Sequence, residues 1–305
     1  MLSIFYNRGV AKARKTLKEL RGSEAKTKLD LKVINVSNSK PEILVNPDDE
    51  GLSAQIFAYG FREPLNCYFL SQFIKKENFD VIIDAGSNIG YFPIVELESG
   101  AKRVVVIEPV PETFKFLQKN VETHSNVDEF NVAISVHNKE ETLFIPAQKN
   151  LSTIIPDENF LRKIKASIVD EITVQTLTLQ TIIDKLSLNN SRILLRMDIE
   201  GYEKVIGYNL PVAIKGISLE FHGPIIGYED SMKLLDHWEE AGFKAVMLSR
   251  ELDGLSPFIK RFGLFSVLKV YQLMAKRVFM TPDRNLINSI LSLKRECPHI
   301  FLLRP

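Results

Sequence analysis

A chain of 305 residues with 39 Lys and Arg against 38 Asp and Glu, 45% hydrophobic and 25% charged, has the composition of a soluble globular protein. That composition excludes a disordered, collagen-like or coiled-coil chain, and two cysteines, Cys67 and Cys297, are too few for a disulfide framework. The near-zero net charge hides a segregation. Residues 1–28 hold eight basic and two acidic side chains and residues 251–305 nine and four, so 22 basic and 32 acidic ones remain between them; an acidic middle with basic ends is a statement about partners.

The start, M-L-S-I-F-Y-N-R-G-V-A-K-A-R-K, lacks the long apolar region of a secretory signal. No stretch approaches the roughly 18 uninterrupted apolar residues of a spanning helix, so the expected location is cytoplasmic. Residues 1–28 read as a basic amphipathic or frayed helix and 30–50 as irregular strands. A helix follows from about residue 65. F-D-V-I-I-D, starting at Phe79, is a short apolar run of the kind a buried parallel strand requires. It is followed by A-G-S-N-I-G and a helix.

The rhythm then repeats. R-V-V-V-I-E-P is a second strand, Pro111 to Glu122 a helix with Pro in its first turn, and E-F-N-V-A-I-S a third strand. Residues 140–176 form a period-two meander and 178–187 a helix. S-R-I-L-L-R-M-D is the fourth strand, Gly201 to Asn209 a short helix, I-K-G-I-S-L-E-F-H the fifth strand, Asp230 to Glu240 a helix, and F-K-A-V-M-L-S the sixth strand. H-I-F-L-L-R, after Pro298, makes a last strand whose expected place is beside the sixth, so 251–298 is an insertion. The apolar stretch 261–280 suits a packed helix, a lid or a helix in peripheral contact with a membrane. Strands alternating with helices predict an open α/β sheet.

Ligands of such sheets bind at the carboxyl ends of the strands. The first strand ends in Asp84-Ala85-Gly86-Ser87-Asn88-Ile89-Gly90. The middle glycine of a dinucleotide loop is absent, and an acid precedes the turn, which would repel a pyrophosphate and welcome a cation. Glu108 ends the second strand, where an open-sheet nucleotide site places a carboxylate on ribose hydroxyls. Together these shift the choice from NAD toward S-adenosylmethionine, whose sulfur is cationic. The fourth strand delivers Asp198 and Glu200 beside Gly201, and the fifth delivers Glu220 and His222, to the same edge.

The segments I-I-D-A-G-S-N-I-G-Y-F, V-I-E-P-V-P-E-T-F-K-F-L-Q-K-N, N-V-A-I-S, L-T-L-Q-T-I-I-D and L-L-R-M-D-I-E-G-Y-E followed by L-E-F-H resemble the FkbM-type S-adenosylmethionine-dependent methyltransferases over about 79–222. Arg196 stands where the family usually has Lys, and Leu179-Gln180 replaces a more usual leucine–aspartate pair. The resemblance implies a class I methyltransferase fold, Rossmann-like, with an open, mostly parallel seven-stranded sheet. An N-terminal extension at 1–64 and a helical insertion with the final strand at 251–305 would flank a catalytic domain at 65–250. It also implies methyl transfer to a hydroxyl oxygen of a sugar, glycolipid or small hydroxylated metabolite. By motif, Asp84, Gly86, Asn88 and Gly90 form the methionine-side loop, Glu108 takes the ribose and Ala133 lies near the adenine. Asp198 and Glu200 face the methionine end or the acceptor.

His222 is the expected base, since its unperturbed pKa lies near neutrality; the alternative is a histidine that hydrogen-bonds across the strand end. Asp198 and Glu200 could instead hold a divalent cation, but no metal is assigned. His124, His137, His237 and His299 read as structural or solvated. Two other functions compete: a NAD-dependent oxidoreductase of a small polyol, and a non-catalytic adenosyl-binding protein. A nucleic-acid partner is not expected, because no aromatic–basic stripe accompanies the charge.

Overall fold

The computed structural model of the chain describes residues 2–146, 152, 154, 168–251, 255–266, 278–293 and 297–305. Helix α1 (Leu2–Glu19) leads into a two-stranded ribbon of β1 (Ala25–Lys28) and β2 (Glu42–Val45), then α2 (Leu52–Tyr59) and α3 (Pro64–Glu77). The central sheet begins with β3 (Val81–Ala85) and continues through α4 (Tyr91–Glu98), β4 (Val104–Ile107), α5 (Pro111–Val121) and β5 (Val127–Phe130). A small sheet comprises β6 (Ala133–Ile134), β7 (Glu140–Pro146) and β8 (Ile168–Leu177). The central sheet then resumes with β9 (Ile193–Met197), β10 (Ile214–Glu220), β11 (Lys244–Ser249), β12 (Val278–Met280) and β13 (His299–Leu303).

The central order is β12-β11-β13-β10-β9-β3-β4-β5. Strands β5, β4, β3, β9 and β10 run parallel, and β13 lies antiparallel between β10 and β11. The last strand therefore sits beside the sixth, as its sequence position predicts. An eighth strand, β12, extends the predicted seven: Val278–Met280 pairs antiparallel with Met247–Ser249 at the edge.

The parallel strands are apolar on both faces because both are covered. Ile82, Val104, Val106 and Leu194 join a core with α1, α3, α4 and the insertion residues Leu255, Ile259 and Leu264. Val81, Ile83, Val105, Ile193 and Leu195 join a second core with the helix Tyr228–Glu240 and the helix Arg284–Leu291. The N-terminal helix contributes Val10 and Leu17 to the first core.

Two expectations are corrected. E-F-N-V-A-I-S does not form one strand. The Asn131 amide donates to the carbonyls of Glu108 and Pro109, the chain leaves the central sheet after Phe130, and Ala133 and Ile134 pair instead with Thr176 and Leu177 of β8. The insertion carries helices at Ser256–Phe262 and Arg284–Leu291 plus β12; the middle of the apolar helix expected across 261–280 lies outside the described residues. Among those described, no helix is long and apolar enough to cross a membrane.

Candidate active site

Chain order reverses between β3 and β9: from β3 the chain proceeds outward to β4 and β5, from β9 outward to β10. The crevice at the carboxyl ends of such a pair is where open α/β sheets bind ligands. A cavity of about 360 Å³ opens there, lined among others by Gly86, Asn88, Glu108, Asp198, Glu200 and His222.

The floor of the crevice is a buried ion cluster. Asp84 and Arg196 are register partners on β3 and β9. The Arg196 Nη1 donates to Asp84 Oδ1 at 2.7 Å and its Nη2 to Asp198 Oδ2 at 3.2 Å, while the guanidinium lies 3.6 Å from the ring centre of Phe92. Asp84 is fully buried. Burial pushes its carboxyl up, and Arg196 opposes that shift. The acid before the loop, expected to belong to the methionine-side loop, is thus a strut beneath it and is not among the residues that line the cavity. Gly90 likewise stands behind the wall, starting α4.

Gly86 has φ +88, and a Cβ there would meet the Asp198 carbonyl oxygen at 2.1 Å, so only glycine lets the loop cross the end of β9. Behind it, Glu96 on α4 is fully buried with neither carboxyl oxygen hydrogen-bonded among the described residues. Burial first, and then Asp84, hold it well above the usual carboxylate range. The folded state thus keeps a proton that the unfolded chain releases near pH 4.5, so this residue's contribution worsens as pH rises. Glu96→Met should stabilise the fold by about 1–3 kcal/mol at pH 7, with a smaller loss of stability between pH 5 and 8 than wild type in urea titrations.

Glu108, past the end of β4, accepts the backbone N–H of Asn88 at 3.1 Å and of Val110 at 2.9 Å. Burial pushes its carboxyl up to about 7, against the pull of those two donors. The adjoining wall is apolar (Ile107, Val132, Ala133, Ile134, Leu143 and Ile154), so one carboxylate stands beside a slot for a flat ring. A diol donates more strongly to the ionised carboxylate than to the neutral acid, so its affinity should fall as pH drops through about 7. S-adenosylhomocysteine should bind several-fold more weakly at pH 6 than at pH 8, and Glu108→Ala should weaken it at both by about 1.5–3 kcal/mol; isothermal calorimetry reads both effects.

The far end of the cavity is acidic. The turn after β9 places Asp198 and Glu200 (φ +53) in its wall. Glu63, before α3, also has a left-handed backbone (φ +44), and backbone strain in such residues collects at functional sites. Glu63 pairs with Arg62 at 2.7 Å and stands 3.4 Å from His299 Nε2. Tyr91 fastens that loop to α4, its hydroxyl donating to the Arg62 carbonyl at 2.9 Å. His222, buried at the end of β10, has Nε2 3.4 Å from Glu200 Oε2 and 3.8 Å from Asp198 Oδ1, and Nδ1 2.9 Å from Glu203 Oε1.

Burial opposes a charge on His222, but Glu203 and Glu200 outweigh it and hold the ring well above its usual value. Burial, opposed by His222 and helped by Asp198 and Glu203, pushes Glu200 up to about 8. Burial, then Asp198 and Glu63, hold Glu220 well above the usual carboxylate range. Among the described residues, two groups have ligand atoms close enough for a cation: Asp198, Glu220 and His222, and Glu63, Glu220 and His299.

The structure thus brings Gly86, Asn88, Glu108, Ala133, Asp198, Glu200 and His222 to one cavity. It adds Arg62, Glu63 and Cys297 to the wall and puts Glu203 behind His222. His299, expected to be structural or solvated, is a buried residue of β13 opposite Glu220. Glu203 was visible only as the last acid of D-I-E-G-Y-E; nothing in the sequence separated its inward position from the others.

The model of the FkbM methyltransferase domain matches residues 84–244, just over half of the chain and extending through the start of β11. No curated protein matches the chain. Among solved structures, an S-adenosylmethionine-dependent methyltransferase from Agrobacterium tumefaciens is similar with a TM-score of 0.40 and 11% identity, over 92% of this chain and 70% of that one. An O-methyltransferase from Bacillus cereus, solved with S-adenosylhomocysteine, gives 0.35 and 11% over 62% and 76%. A ribosomal protein L11 methylase from Lactobacillus delbrueckii subsp. bulgaricus gives 0.35 and 10% over 63% and 74%.

Proposed function

The chain belongs to the FkbM methyltransferase family, and on that premise we propose that it methylates a hydroxyl oxygen of a sugar, a glycolipid or a small hydroxylated metabolite. The methyl donor is S-adenosylmethionine. The side chains fit it: Glu108 for the ribose diol, an apolar slot for adenine, and an acidic far end for a cationic sulfonium. We read 65–250 as the catalytic domain and the two ends as additions to it.

When bound, S-adenosylmethionine supplies an electrophilic methyl group, and S-adenosylhomocysteine is left as product. The chain's own residues bind, orient and exclude water, which is most of what an in-line displacement needs. As oxygen gains the methyl group it must lose its proton. His222, which lines the cavity, is the group we assign to take it, and Glu203, 2.9 Å from Nδ1, holds the resulting imidazolium. The observation that carries this reading is that His222, buried and with Nδ1 2.9 Å from Glu203 Oε1, lines the same cavity as Glu108.

Thermal unfolding tests the donor. S-adenosylhomocysteine at about 100 times its dissociation constant should stabilise by about 2.7 kcal/mol, with no shift from NAD. A shift with NAD and none with either adenosyl ligand would overturn the assignment. The acceptor atom is tested by incubating the protein with [methyl-13C]S-adenosylmethionine and a panel of glycans, lipids and hydroxylated metabolites. Methyl carbon appearing at the chemical shift of a methyl ether supports the reading; N-methyl or S-methyl signals contradict it.

A further inference from the structure

We infer that Glu203 is a positioning residue for methyl transfer: it locks the His222 imidazole with its proton on Nδ1, so that Nε2 is the nitrogen offered to the acceptor. The inference rests on the reading of His222 as the base, but its geometry stands apart from the identity of the acceptor.

Glu203 is the first residue of the short helix Glu203–Ile206 and is wholly buried. Its Oε1 lies 2.9 Å from His222 Nδ1 and also accepts the N–H of Ile199 at 3.2 Å. The second contact fixes the carboxylate against the turn that carries Asp198 and Glu200. Among the described residues, Oε2 has no hydrogen-bond partner, and His222 is the one basic side chain paired with this carboxylate. A carboxylate accepts and cannot donate, so it selects the tautomer with hydrogen on Nδ1 and leaves the lone pair on Nε2. The contacts on Nε2 are of another kind. At 3.4 Å and 3.8 Å, Glu200 and Asp198 are too far for good hydrogen bonds, so that nitrogen stays available to a ligand.

The ring is held from several sides. The turn after β9 supplies Asp198, Glu200 and Glu203, β10 supplies Glu220, and the chain entering β13 supplies Cys297 and His299, with the Arg62–Glu63 pair beyond. Of these, only Glu203 touches Nδ1. It also ties the end of β10 to the turn after β9, and a purely structural staple would show the same contact. The test must therefore read the ring itself.

The full chain with 15N-labelled histidine, saturated with S-adenosylhomocysteine, gives long-range 1H–15N correlations for its five histidines, with the His222 signals identified by their loss in His222→Asn. In wild type, the neutral ring should be the Nδ1–H tautomer and the titration midpoint should lie above 6.5. Glu203→Gln should lower the midpoint by about 1 to 3 pH units and release the tautomer preference. Glu200→Gln should lower the midpoint while leaving Nδ1 protonated. A wild-type circular dichroism spectrum and a cooperative thermal transition check that each variant is folded, and Glu203→Asp serves where Glu203→Gln does not fold, with an intermediate midpoint expected. A His222 midpoint and tautomer that do not move in a folded Glu203 variant would overturn the proposal. Because the measurement needs no acceptor, it separates this failure from failure of the base assignment, which would show as unimpaired turnover in His222→Ala.

Discussion

Arg196→Met should destabilise the protein by about 3–5 kcal/mol, the cost of removing one partner from a buried ion pair. The guanidinium is almost fully buried, bridges Asp84 and Asp198 and stacks on Phe92. Methionine fills part of the volume but leaves Asp84 with both oxygens unpartnered beneath the ligand loop. Arg196→Lys keeps the charge and loses the fork that reaches two carboxylates at once, so it should recover only part of the loss. Urea titration reads both variants. A loss below about 1 kcal/mol, in the range of an exposed pair, would show that the cluster is not what joins β3 to β9.

The second large effect is chemical. His222→Ala should lower turnover by about 10²–10⁴-fold, the usual contribution of a general base, while S-adenosylhomocysteine binds within about twofold of wild type because Glu108 and the loop are untouched. The pH dependence has a definite sign. A base works unprotonated, and Glu203 and Glu200 hold the His222 ring above its usual value. Activity should therefore climb as pH rises past 6.5 and reach its plateau on the alkaline side. Initial rates from pH 6 to 9 test this, and a plateau already reached at pH 6 would remove His222 from the proton transfer.

The glycine-loop end of this cavity was more legible in the sequence than its far end, for a physical reason. Buried parallel strands are short apolar runs, and a glycine-bearing turn follows one of them directly, so Gly86, Asn88 and Glu108 could be placed from local pattern alone. The role of Asp84 could not. Its acid was visible, but that it faces Arg196 depends on the register of β3 against β9, more than a hundred residues apart in the chain. The far wall of the cavity joins Glu63, Glu200, His222 and Cys297, which only the order of strands in the sheet brings together. The third strand misled because N-V-A-I-S is as apolar as its neighbours; the side chain of Asn131, bonded back to Glu108 and Pro109, ends the pairing there. Strand β12 was hidden in a long apolar stretch whose composition suits a helix equally well.

The basic ends gain a place in the fold. Val10 and Leu17 of the N-terminal helix and Leu255, Ile259 and Leu264 of the insertion share one apolar core with the sheet, while Lys12, Lys15 and Arg261 remain exposed. Four acids of the middle segment lie at or beneath the cavity. Asp84 and Asp198 are matched by Arg196 inside the fold, whereas Glu200 and Glu220 line the cavity with no direct hydrogen bond among the described residues.

The crystal structure of the complex with S-adenosylhomocysteine tests the central claim most directly. The account predicts both ribose hydroxyls within hydrogen-bond distance of Glu108, the adenine between Ile107 and Ile134, and the sulfur turned toward His222 and Glu200. Adenosine bound away from Glu108, or a sulfur facing away from His222, would contradict it.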